Sequence, residues 1–188
     1  MNLYCGDILI EPFVAAHTNI LFELINQPEV IEGVRGGVKI DYNSHIEWVN
    51  NNLYTPEKKV HLFLTIEATE AVGVILIKNI KNGEGEMGIM VKDIQTSREN
   101  QLTSKLLTAI LYYAFNELML DNLIIRIRHS NANSLKIALK IGAIQQSKDE
   151  IYYNLILTKT DYELNTINQK LNKRFNPEYK NGTYFTLK

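Results

Sequence analysis

The chain has 188 residues, 45% of them apolar and 22% charged, with a formal net charge of −1. That length buries a real core in a single domain, and the near-zero charge excludes bulk attraction to nucleic acid or to a membrane surface. Cys5 is the only cysteine, so no internal disulfide is expected, no Cys/His spacing points to a metal, and a reducing, cytoplasmic setting fits. The start, MNLYCGDILIEPF, lacks the basic opening and apolar run of a signal peptide, and no stretch approaches the roughly 18 apolar residues that span a bilayer.

In chain order, DILIEP (7–12) reads as a short strand stopped by Pro12. Ala15, Ala16, Ile20, Leu21, Leu24 and Ile25 recur at helical spacing and predict a helix over 14–27, ended by Pro28. GVRGGVKI (33–40) carries Gly33, Gly36 and Gly37 and is expected to be a mobile loop. A second helix is expected over 43–53, with Ser44 as N-cap and Ile46, Trp48 and Val49 as its apolar residues.

Three strands come next. Val60, Leu62, Leu64 and Ile66 alternate with His61, Phe63 and Thr65, while AVGVILIKNI (71–80) is continuously apolar and suits a central strand. KNGEGE is a turn, and EMGIMV (86–91) closes an antiparallel meander. Leu102, Leu106, Leu107, Ile110, Leu111, Ala114, Phe115 and Leu118 then form the apolar face of a helix of about 17 residues, or roughly 25 Å. The turn that feeds this helix is a candidate anion site, because the first N–H groups of a helix lack internal partners and the dipole adds positive charge.

LIIRIRH (123–129) is the next strand, and strand–helix–strand of this length makes a right-handed parallel crossover. NANSLKIALK (131–140) is a helix stopped by Gly142, and EIYYNLILT (150–158) is a strand. In the basic tail, Leu164, Ile167 and Leu171 suggest a helix and GTYFTL (182–187) an edge strand.

This order of elements resembles the GNAT family of N-acetyltransferases. That family opens its main helix with Arg/Gln-x-x-Gly-x-Gly/Ala, and the register here gives Arg98-Glu99-Asn100-Gln101-Leu102-Thr103. NANSLKIALKIGA is similar to the family's Asn-x-x-Ser…Lys-x-Gly-Phe segment, with Asn131, Ser134, Lys140 and Gly142 matching. EWVNNN (47–52) and the loops before it resemble the subgroup that acetylates ribosomal-protein N-termini. The resemblance implies an α/β (α+β) fold: a mixed, mostly antiparallel central sheet of six or seven strands flanked by about four helices. It covers about residues 6–160, so residues 1–160 are read as an acetyltransferase domain and 161–188 as an extension packed on it.

The resemblance also implies acetyl-coenzyme A as co-substrate, with Ile89, Met90 and Val91 binding the pantetheine arm. Gln101, Leu102, Thr103 and Ser104 would hold the pyrophosphate, Arg98 would steer it, and Asn131 would contact the coenzyme. Both turn glycines are replaced, by Gln101 and Thr103; the first should narrow the approach of phosphate and the second could bond it. Ala138 stands where many members carry a tyrosine that protonates the leaving thiolate, and Ala143 replaces the usual Phe. Glu86 is the candidate base through water, or else an exposed or ion-paired strand carboxylate. Ser134 is the candidate for orienting or protonating the thiolate, or else a helix-capping hydroxyl. His61 either borders an acceptor cleft or is structural. Tyr152 and Tyr153 read as sheet packing, Arg126 and Arg128 as a polar strand face, and Cys5 not as a nucleophile.

The implied activity is acetyl transfer to a primary amine, a peptide N-terminus favoured, by a monomer or homodimer without a metal. A small-molecule acceptor (aminoglycoside, amino sugar or polyamine) and a non-catalytic ligand- or partner-binding module are the alternatives.

Overall fold

The computed structural model describes residues 1–55 and 59–180. The chain opens with a hairpin, β1 (Asn2–Cys5) and β2 (Ile8–Pro12), and then α1 (Thr18–Ile25) follows a 3-10 turn at Ala15–His17. A short helical turn, α2 (Pro28–Val30), runs into a π turn at Ile31–Arg35, and α3 spans Tyr42–Asn52. The glycine-rich segment expected as a loop is thus partly helical, and it is Gly36, at φ 67°, that ends the π turn in a left-handed cap. The N-cap of α3 is Asp41, not Ser44: its carboxylate accepts the N–H of Ser44 at 3.0 Å.

The meander is β3 (Val60–Glu67), β4 (Glu70–Lys81) and β5 (Glu84–Val91). After it come α4 (Ile94–Glu99) and α5 (Leu102–Tyr112), which continues as a π turn over Tyr113–Glu117, then β6 (Asn122–Arg128) and α6 (Ala132–Lys140). The chain ends in β7 (Ile144–Lys148), β8 (Tyr152–Thr158), α7 (Lys159–Leu164), α8 (Thr166–Phe175) and β9 (Glu178–Lys180). The expected strand GTYFTL lies outside the described residues.

These strands form one sheet in the order β7-β8-β6-β5-β4-β3-β2-β1-β9. The sheet is mixed and mostly antiparallel as expected, but among the described residues it has nine strands where six or seven were expected. The additions are β1, β7 and β9, all too short or too exposed to show a clear alternation; β7 is exposed along its whole length. There are also more helices than the four expected, because α2, α4 and α7 are single short turns.

Two apolar layers sandwich the sheet. On one face Leu106, Ile110 and Phe115 pack against Ile75, Ile77 and Leu123. On the other, Leu21 and Leu24 of α1 cover Leu62, Leu64 and Val74. The tail adds to the first layer: Phe175 is buried there, and β9 pairs with β1. Leu164, expected on the buried face of the tail helix, is 72% exposed.

The register at the centre of the sheet opens it. Strand β5 pairs with β4 through Gly73↔Val91. On its other edge it runs parallel to β6 only from Glu84↔Asn122 to Met87↔Ile125. Beyond that point β6 stays with β8, down to Arg128↔Tyr152. The two central strands therefore part after Met87, and among the described residues the β6-facing backbone edge of residues 88–91 has no strand partner. Unpaired N–H and C=O groups in the middle of a sheet call for a partner in extended conformation.

Candidate functional site

A cleft of about 820 Å³ fills this split. Its walls are residues 86–91 of β5 and 125–128 of β6, closed above by Ile94, Ser97 and Arg98 of α4 and by Gln101, Thr103 and Ser104 at the start of α5. Asn131, Ser134 and Ala138 of α6 form one side, and Glu29, Val30, Gly33 and Val34 the other. The structure thus gathers Glu86, Ile89, Met90, Val91, Arg98, Gln101, Thr103, Asn131, Ser104 and Ser134 around one space. Leu102 is the exception: its side chain is buried in the core beneath α5, so only its backbone can serve the turn.

The residues before α5 coil into α4, and Gln101 sits between the two helices at φ 56°, ψ 26°. It lies just past the end of α4, where a left-handed conformation usually selects glycine. The side chain of Ser97, 2% exposed, reaches under α5. Its Oγ accepts the N–H of Thr103 at 3.0 Å and lies 2.6 Å from the Thr103 hydroxyl. Both polar groups expected of Thr103 for phosphate are thus engaged within the protein, and Ser97 does part of the capping that an anion would otherwise do.

Asn131 caps α6, its Oδ1 accepting the N–H of Ser134 at 3.1 Å. The amide nitrogen is left facing the 28–35 segment, 3.7 Å from where a Cβ on Gly33 would stand. Glu86 is held at the mouth of the split by Lys78, 3.1 Å from one carboxylate oxygen, and by Asn79, donating to the other at 3.0 Å. The ion-pair reading of Glu86 and its placement in the cleft are therefore both true.

Other candidates fall elsewhere. His61 is absent from the cleft lining; its Nδ1 is 2.8 Å from the hydroxyl of Tyr113, a phenol whose pKa burial raises. Cys5 is fully buried, and burial pushes its thiol up to about 12, which removes it as a nucleophile. Tyr153 packs on His129, with ring centroids 4.6 Å apart.

Three residues read as sheet packing or as a bland strand face turn out to line the cleft: Arg126, Arg128 and Tyr152. Both guanidiniums lie over the Tyr152 ring, with Cζ 4.4 Å from its centroid for Arg126 and 5.6 Å for Arg128. The alternation on β6 put the two arginines on one face; which face met the cleft depended on the split. With Lys78, Arg98, Lys136 and Lys140 they give six cations against the carboxylates of Glu29 and Glu86. A chain of net charge −1 thus carries a locally positive cleft. An elongated ligand that hydrogen-bonds like a strand and carries phosphates fits this lining.

Among the described residues no group of three or more His, Cys, Asp or Glu is placed to hold a metal. No helix there is long and apolar enough to cross a membrane.

A family model described as "Acetyltransferase (GNAT) domain" matches residues 7–144. No curated protein sequence matches the chain. Among solved structures, spermidine N-acetyltransferase from Vibrio cholerae in complex with CoA and spermine superposes with a TM-score of 0.68 at 11% identity, covering 82% of this chain and 96% of that one. AAC(6')-Ib in complex with paromomycin and acetyl-CoA gives 0.67 at 14%, covering 88% and 98%. Campylobacter jejuni N-acetyltransferase PseH in complex with acetyl coenzyme A gives 0.58 at 19%, covering 80% and 99%. At these identities the likeness is one of fold.

Proposed function

The chain belongs to the GNAT acetyltransferase family, and from that premise we propose that it is an N-acetyltransferase, moving the acetyl group of acetyl-coenzyme A to a primary amine. The observation that carries this reading is the split of β5 from β6 after Met87, directly beside the N-terminus of α5. It offers a strand-like edge to an extended pantetheine arm and a positive, helix-opening turn to phosphates.

In this reading Ile89, Met90 and Val91 bind the arm through their backbone. Arg98 and the N–H groups of Leu102 and Ser104 hold the pyrophosphate, with Gln101 and Thr103 secondary because the Arg98 carbonyl and Ser97 already take their N–H groups. Asn131 contacts the coenzyme through its free amide nitrogen. Both substrates are held together, so catalysis is positioning and electrostatics. Glu86 accepts the ammonium proton through a water, and the freed amine attacks the thioester carbonyl. A backbone N–H near Met90 or Val91 stabilises the oxyanion. The C–N bond forms first; as the oxyanion collapses and the C–S bond breaks, Ser134 takes the second proton from the nitrogen and passes its own hydroxyl proton to the departing thiolate.

A peptide N-terminus is the favoured acceptor, supported by the likeness of residues 47–52 to the ribosomal-protein alanine acetyltransferase subgroup. A polyamine, the substrate named for the Vibrio cholerae structure, is disfavoured by a cleft in which six cations face two carboxylates. A non-catalytic binding role draws on Gln101, Ala138 and the internal capping of Thr103 by Ser97.

A thermal-shift titration with acetyl-coenzyme A tests the reading. At about 100 times its dissociation constant a ligand stabilises by about 2.7 kcal/mol, a Tm rise of roughly 5–10 °C for a chain of this size. No shift at millimolar coenzyme would sink the proposal. Given a shift, Glu86→Gln is expected to slow thiol release by about 10²–10⁴-fold with coenzyme affinity unchanged; an unaltered rate removes Glu86 from the mechanism, and no turnover of any amine leaves the binding role standing.

A further inference from the structure

Arg128 is a half-buried cation for which, among the described residues, no carboxylate stands within ion-pairing distance. Its neighbour Arg126 has only a marginal one, Asp149, at 3.9 Å. Both guanidiniums are held instead by the face of Tyr152, directly across the ladder from Arg128. A guanidinium held over an aromatic face keeps its charge and its N–H donors for a further partner. The loop above is shaped around this arrangement: a Cβ on Gly36 would lie 2.3 Å from Nη2 of Arg128. An oriented and largely uncompensated cation pair in a cleft is a receptor for an anion.

The position of the pair says which anion. Arg126 and Arg128 lie on the sheet face contacted by the 31–35 turn, whereas α5, with the pyrophosphate-binding turn, covers the opposite face. Glu86 is level with Ile124 on β6, so Arg126 is two residues further along that strand and Arg128 four, about 7 and 13 Å. The pair therefore borders the acceptor end of the cleft.

We propose that the acceptor amine carries an acidic group, a phosphate or a carboxylate, which Arg128 and Arg126 bind while the amine is presented to Glu86. This rests on the acetyltransferase reading and assigns its substrate class. The anion neutralises the uncompensated charge, so acceptors that carry an acid near their amine are selected. Polycations are rejected by the same two arginines.

The test uses protein already saturated with coenzyme A, so that coenzyme binding is established first and its failure is read separately. Calorimetric titration with inorganic phosphate is expected to show binding that Arg128→Gln weakens by about 10–100-fold, while the affinity for the coenzyme stays the same. No binding of phosphate to the saturated wild-type protein, equal binding to the variant, or loss of coenzyme affinity in the variant overturns the proposal. Matched acceptors then identify the source of the anion: glucosamine 6-phosphate against glucosamine, and Ser-Asp amide against Ser-Asn amide, read by thiol release. A preference for the charged member of one pair, erased in Arg128→Gln, supports the proposal and names the group. Equal turnover within both pairs, or a preference for spermidine, refutes it; if neither pair turns over, the phosphate titration decides.

Discussion

Gln101→Gly is the most informative single change in the turn. Gln101 is held at φ 56°, ψ 26° between α4 and α5, and adopting that conformation costs a residue with a Cβ roughly 1–2 kcal/mol. Glycine removes this strain but makes the unfolded chain freer, which takes back about 0.4–1 kcal/mol. The net expectation is a gain of about 0–1.6 kcal/mol, or a Tm rise of up to roughly 6 °C. The Gln101 side chain also lines the cleft, so its removal should tighten coenzyme binding if it obstructs the phosphates. Gln101→Ala separates the two effects, since alanine opens the cleft equally while keeping the strained φ. Differential scanning fluorimetry and calorimetric coenzyme titration on all three proteins give the readout. A lower Tm for the glycine variant refutes the strain argument. Weaker coenzyme binding in both variants makes Gln101 itself a phosphate ligand.

The remaining predictions are simpler. Gly36→Ala must hold alanine at φ 67° and displace the Arg128 guanidinium; the strain alone is about 1–2 kcal/mol, so Tm should fall by roughly 2–8 °C. Phosphate binding should weaken although Arg128 is intact, and an unchanged Tm would mean that the loop repacks freely. Asp149 gives a pH signature: the N–H groups of Tyr152 and Ile151, with the Asn154 side chain and Arg126, hold its carboxyl at about 2, below the ordinary 3.8. A depressed carboxyl contributes stability that is complete above 3.8 and lost as pH falls through about 2. The Tm gap between wild type and Asp149→Ala should therefore be constant at neutral pH and close only in that acid window; a gap independent of pH down to 2 would contradict it.

How much of the fold and the site was legible in the residues depends on the range of the interactions involved. The meander, α5 and the β5–α5–β6 crossover were readable because each rests on periodicity within one segment, and Leu106, Ile110 and Leu123 are buried as their spacing requires. Asp41 was missed as a cap because Ser44, three residues on, offers an equally suitable hydroxyl to a reader of types alone. The exposed β7, with no apolar rhythm, becomes a strand only through pairing with β8. In the site, the residues tied to the family's register came together, whereas Ser97, Arg126, Arg128 and Tyr152 did not announce themselves. Ser97 acts through a contact made by the coiling of α4. The arginines matter only because β6 leaves β5 after Met87, a register event between strands distant in sequence.

That split also relates the two halves of the proposed chemistry. A sheet that parts at Met87 has two open faces at one point; in the proposed chemistry the face under α5 would receive the phosphates and the face under the 31–35 turn the acceptor. Both substrates are then anionic at their outer ends, with Arg98, Lys136 and Lys140 among the cations available to one and Arg126 and Arg128 to the other. Two anions drawn from opposite faces orient their reactive ends toward the gap, where the backbone edge of residues 88–91 and Glu86 wait. Like-charged substrates would repel in water at this separation; the six cations of the lining remove that penalty. On this proposal the positive cleft in a chain of net charge −1 would hold two acids at once, and neutralising either set of cations should raise KM for its own substrate while leaving the other largely unchanged.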